Sequence, residues 1–97
     1  MKKDHNYFMK KAFEEAKYAF YKDEVPVGCV IVYENEIISK SSNMVELLND
    51  STAHAELIAI TSAQNFLNTK NLNKCILYCG NLWLKVFNYL NKLNKNF

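Results

Sequence analysis

Arginine is missing from this 97-residue chain, so lysine supplies all twelve positive side chains. That removes the planar two-pronged clamp for phosphate or guanine and leaves only point charges. The net charge of +2 is mild; it permits a polyanionic partner without demanding one, because nucleic-acid domains usually concentrate their basic residues in a patch. No apolar run reaches the ~18 residues of a membrane span, and no apolar stretch follows the lysines of "MKKDHNY" as a secretory signal would require. Cysteine is scarce and odd in number, with three residues in all. A fully paired disulfide framework is thereby excluded, and thiols in a reducing cytoplasm are expected. Proline occurs once, at Pro26.

What is present is a globular composition, 49% hydrophobic and 13% aromatic. The length sets a limit of one domain, residues 1–97, and neither a repeat nor a linker divides it. Phe8, Met9, Ala12, Phe13, Ala16, Ala19 and Phe20 recur at three- and four-residue spacing, which predicts a helix over Asp4–Tyr21 with Asp4 as its N-cap. Pro26 ends it by biasing Val25 away from helical backbone. Val27–Tyr33 is a nearly continuous apolar run and reads as a buried strand. Glu34 and Asn35 make a tight turn into a second strand, Glu36–Lys40. After a polar connection, Thr52 is placed to cap a helix that carries Leu57, Ile58, Ala59, Ala63, Phe66 and Leu67 to about Asn68. "CILYC" is a third strand, and Leu82, Trp83, Val86, Phe87, Leu90 and Leu93 form the stripe of a last helix. The predicted order is helix, hairpin, helix, strand, helix.

Within "NDSTAHAELIAI", His54 and Glu56 stand two apart at the start of a helix. Two residues so spaced do not share a face of a regular helix. Both address one site only if the helix begins at that site. The pair has two readings: polar residues opening an ordinary helix, or a metal ligand beside a proton carrier. In the second, neutral imidazole is one of the three protein ligands of a catalytic zinc. A nearby carboxylate off the metal moves the proton of its bound water.

"DEVPVGCVIV", then Asn43, then "DSTAHAE", at these separations, resembles the bacterial tRNA-specific adenosine deaminases of the cytidine deaminase-like superfamily. The resemblance takes in "NYFMKKAFEEAKYAF" and extends to "LNKCILY", so it covers residues 6–78 and leaves 79–97 as a divergent tail. It implies a three-layer α/β/α domain with a mixed central sheet, commonly as a homodimer. It also implies a Zn2+ cofactor, the tRNA anticodon loop as partner, and hydrolysis of adenosine to inosine at the wobble position. By the same resemblance His54 is a zinc ligand and Glu56 the catalytic proton shuttle. Val27 and Gly28 are the wall of the base pocket, Asn43 its hydrogen-bonding group, and Ala53 lies against the flipped base.

The pattern departs from the family after Tyr78. A P-C-x-x-C segment should supply the other two zinc ligands there, and "CGNLWLKVFNYLNKLNKNF" contains no C-x-x-C. Cys75 and Cys79 are four apart on the third strand, which separates them by roughly 13 Å. Zinc–sulfur bonds are ~2.3 Å, so one ion cannot hold both; they are expected as buried thiols of a core strand. Cys29, after "VPVG", is the cysteine expected to come nearest His54. The chain is therefore expected to be a truncated family member with an incomplete metal cage. Two other readings stay open: a deaminase of a free nucleobase or nucleoside, and a non-catalytic remnant that binds RNA or dimerises.

Overall fold

A computed structural model describes residues 2–50, 53–86 and 88. Asp4 caps α1 (His5–Tyr21) as predicted, its carboxylate accepting the Tyr7 N–H at 2.9 Å. The helix ends at Lys22, and Asp23 turns the chain with a left-handed φ of 59°. β1 (Val27–Tyr33) and β2 (Glu36–Ser42) then form a hairpin. Its two turn residues, Glu34 and Asn35, both have positive φ, 52° and 63°, the twist that suits a two-residue hairpin. The Asn35 side chain secures the turn by exchanging hydrogen bonds with the Lys3 backbone.

The connection after β2 contains a short helix that the sequence did not announce, α2 (Val45–Leu48). α3 (Ala55–Leu67) follows, then β3 (Cys75–Asn81), and residues 82–86 are helical again. The N-cap of α3 is His54, not Thr52, and its side chain makes no cap hydrogen bond. Thr52 lies outside the described residues, as does most of the predicted last helix, including Phe87, Leu90 and Leu93.

The sheet order is β2-β1-β3, with both pairings antiparallel. The fold class is the expected α/β, with one difference in the sheet. A mixed sheet needs a parallel neighbour, and the described strands pair only antiparallel.

β1 is buried on both faces, and its alternation sorts the core into two layers. Val30 and Val32 face α1 with Phe8, Ala12 and Tyr78, whereas Cys29 and Ile31 face α3 with Ala55, Ala59 and Ala63. Gly28 lies under α1. A Cβ there would come within 2.2 Å of the Ala16 backbone nitrogen and 2.5 Å of the Ala12 carbonyl oxygen, so only glycine lets helix and strand approach this closely. Burial at this contact raises the pKa of the Glu15 carboxyl, with Lys40 on β2 partly offsetting the effect. His5 Nδ1 hydrogen-bonds the Tyr78 hydroxyl and ties the start of α1 to β3. No helix among the described residues is long and apolar enough to cross a membrane.

Candidate functional site

The end of β2 meets the start of α3 through hydrogen bonds. Asn43, buried just past β2, donates its backbone N–H to the Val27 carbonyl at 3.0 Å. Its Oδ1 accepts the Ala55 N–H at 3.2 Å. That bond satisfies one of the orphan donors of the first helical turn, and it does so from another element because His54 supplies no cap. Met44 N–H bonds the Ala53 carbonyl at 2.9 Å, and Ala53 N–H bonds the Asp50 carbonyl at 3.0 Å. Four sequence-predicted residues, Val27, Asn43, Ala53 and His54, thus converge at one end of α3.

Glu56 enters from the first turn of α3 and is half-buried; His54 beside it is exposed. A carboxylate in the first turn is favoured there by the helix dipole. Oδ1 already accepts the Ala55 N–H, and the amide NH2 is the donor that Asn43 can offer a ligand. Gly28 is set apart from this cluster, since its face of β1 is turned to α1. Ala53 also borders an open groove of about 670 Å³ with Leu48, Leu57, Ile58 and Thr61, and that lining includes neither His54 nor Glu56.

Sequence reasoning passed over three buried residues that hold this corner. The Glu24 carboxylate, 5% exposed, accepts the Glu46 N–H at 2.7 and 2.9 Å and the Leu47 N–H at 3.0 Å, anchoring α2. Ser39 Oγ donates to the Ala59 carbonyl at 2.9 Å, and Ser41 Oγ donates to the Ala55 carbonyl. The two serines lie two apart on one face of β2, but the strand read from the sequence stopped at Lys40 and left Ser41 outside it. Glu24 stands inside the "DEVPVGCVIV" stretch that carries the resemblance, but nothing in the sequence marks its carboxylate as a buried anchor.

The cysteines differ from expectation. Cys29 is bonded to Cys79, its direct register partner across β1 and β3, so neither is a thiol. Cys79 is exposed rather than buried, and Cys75, half-buried, is the free cysteine. Cys29 is therefore no companion ligand for His54. Among the described residues no three His, Cys, Asp or Glu side chains come together as a metal group. The residues present do not fit a catalytic zinc ion, which takes three protein ligands.

A family model of the cytidine and deoxycytidylate deaminase zinc-binding region matches residues 2–86. The tRNA-specific adenosine deaminase of Aquifex aeolicus is 61% identical over 72 residues, covering 74% of this chain and 48% of that protein. That of Rickettsia typhi is 47% identical over 72 residues, or 72% of this chain and 49% of its own. Among solved structures, a tRNA:A34 deaminase that edits A to I at the wobble position superposes with a TM-score of 0.74. It is 40% identical and is matched over 77% of this chain and 54% of its own. A guanine deaminase from Bacillus subtilis also gives 0.74, at 38% identity over 79% of this chain and 50% of that one. The chain spans about half the length of the relatives it matches.

Proposed function

Because the chain belongs to the cytidine and deoxycytidylate deaminase family, we propose that it carries the base-binding half of a tRNA adenosine deaminase without a complete metal cage. The observation that carries this reading is the clamp between Asn43 Oδ1 and the Ala55 N–H. It locks residues 53–56 onto the end of β2, so that Asn43, Ala53, His54 and Glu56 share one corner. In this reading Val27 and Ala53 flank an adenine flipped out of the anticodon loop, and the Asn43 NH2 donates to it. Gly28 contributes from behind by letting α1 close on β1. Glu56 is the group that carries a proton between water and the base, and His54 is the ligand-type residue beside it. tRNA is the polyanionic partner, the cytoplasm the compartment, and a second copy of the chain the other partner. The guanine deaminase likeness supports a free-base substrate as the second reading; the relatives' agreement on tRNA favours the first.

Chemistry separates binding from turnover. Unassisted water is a poor nucleophile, being far too weak an acid to supply hydroxide at neutral pH, and one histidine does not make a zinc cage. The chain as it stands is expected to yield no inosine from an anticodon stem-loop, even with added zinc. Grafting a relative's tail, beginning at its P-C-x-x-C segment, directly after Tyr78 is expected to confer zinc retention and inosine formation. In that chimera Glu56→Gln keeps the metal and lowers turnover by ~10² or more, whereas His54→Ala loses both. Inosine from the ungrafted chain, or a chimera indifferent to Glu56→Gln, overturns the assignment.

A further inference from the structure

Asn43 is the first residue beyond β2, and a strand end frays unless the chain past it is tied down. One bond continues the ladder, from the Asn43 N–H to the Val27 carbonyl at 3.0 Å. Glu24, three positions before Val27, closes the arrangement from outside. Its carboxylate accepts the N–H groups of Glu46 and Leu47, three and four positions after Asn43, at 2.7 to 3.0 Å. The result is a closed ring that runs from Glu24 to Val27, across to Asn43, along to Glu46 and back. A second ring joins Asn43 and Met44 to the head of α3 through the bonds to Ala55 and Ala53. The two rings share Asn43 and Met44, so these residues cannot shift without breaking one of them.

Glu24 is itself held still. Its N–H bonds the Ala19 carbonyl at the end of α1 at 3.0 Å, and Pro26 restricts the backbone of Val25 that follows. Glu24 is 5% exposed and belongs to neither ion pair seen among the described residues, Lys3–Glu36 and Lys11–Glu14. Withdrawing a carboxylate from water is costly, and here backbone donors alone offset it. A small polar residue at the N-cap of α2 would satisfy the same amides more cheaply. That position is Met44, which supplies no side-chain cap. What the buried glutamate adds is a tie between α2 and the strand that carries Val27.

We propose that Glu24 is the positioning residue of the candidate site. Its carboxylate fixes the gap between Val27 and Asn43, the two sides assigned to the base, and it acts through Asn43 rather than on the base. Both rings are made of residues 24–27, 43–47 and 53–55 and draw nothing from β3 or beyond. The geometry stands by itself, whereas the consequence for a base rests on the deaminase reading.

The test is amide hydrogen exchange in the full chain, read residue by residue by NMR. A cap serving α2 alone protects the Glu46 and Leu47 amides and no others. A positioning role also protects Met44 and Ala55, whose hydrogen bonds Glu24 does not touch. Glu24→Asp keeps the charge but falls one methylene short of α2. It is expected to speed exchange at Met44 and Ala55 roughly tenfold, with the α1 amides of Ala12 and Ala16 unchanged. Glu24→Gln keeps the length and one acceptor oxygen, and is expected to speed it only about threefold. The glutamine variant decides the matter if Glu24→Asp unfolds, which faster exchange throughout α1 would reveal. In parallel, fluorescence anisotropy compares an anticodon stem-loop RNA carrying adenosine at the wobble position with the same RNA abasic there. The wild type is expected to prefer the adenosine, and the preference to shrink in both variants. Faster exchange confined to Glu46 and Leu47, or an adenosine preference untouched by either variant, overturns the positioning role. A wild type without any preference overturns the base-binding reading instead, and the exchange rates still decide what Glu24 does.

Discussion

At Gly28 a missing Cβ sets the distance between α1 and β1. The atoms a methyl group would strike are backbone, Ala16 N at 2.2 Å and Ala12 O at 2.5 Å, and backbone cannot step aside without moving the helix. At Gly80 the obstacle is the Phe13 ring, 2.8 Å away, and a ring can rotate. Gly28→Ala is therefore expected to cost about 3 kcal/mol or abolish folding, and Gly80→Ala about 1 kcal/mol or less. Urea denaturation of the two variants checks the order, and equal losses would show that α1 does not rest on β1 as described. Asn43 belongs to the same scale. Its type and place were legible, but not that its oxygen serves the helix by accepting the Ala55 N–H.

Among the elements, α3 departs most from its sequence pattern. Leu57 and Phe66 looked like core residues, yet they are 48% and 68% exposed. The face against the sheet is Ala55, Ala59 and Ala63, a four-residue repeat of small side chains. Small residues bring the helix axis close, and closeness lets Ser39 and Ser41 reach the helix carbonyls. Periodicity identifies a helix; when large and small apolar residues share it, the depth of the neighbouring surface decides which face is buried. β1 and β3 are joined more firmly than hydrogen bonds alone would hold them, through Cys29 and Cys79, 50 residues apart in sequence. Closing a loop of that length stabilises a fold by roughly 2–4 kcal/mol. Before reduction one thiol of the three is expected to react with maleimide under denaturing conditions, and after reduction all three. Reduction should lower the unfolding midpoint of the wild type and leave Cys79→Ser unaffected. Three reactive thiols in the untreated protein would contradict the pairing.

Over the whole molecule, three layers leave β1 fully covered and β3 half-covered, since α3 packs on β1 and β2. The corner proposed to bind a base is complete in hydrogen bonds but not in metal ligands. Because no cage is present in the described residues, zinc has no folded-state site to favour over the unfolded chain. Added zinc is expected to leave the melting temperature unchanged, and the purified protein to lose any zinc in a chelator wash. A zinc-dependent rise in melting temperature would show that the ligand set has been misread, with the three cysteines as the first candidates.

The elements were decided locally and so could be read from the chain: the cap at Asp4, the turn at Glu34-Asn35, the apolar run of β1 and the helical period of α1 depend on neighbours a few residues away. The family was legible for a similar reason, since its motifs lie in short segments in fixed order. Tertiary structure alone decided that Cys29 faces Cys79, because register is set by how two distant strands slide together. It alone replaced Thr52 by His54 at the head of α3, because Asn43 arrives from β2 to take the Ala55 N–H. It also turned Glu24 from a residue before a proline into the buried anchor of α2, because only the fold brings that carboxylate to the Glu46 and Leu47 amides.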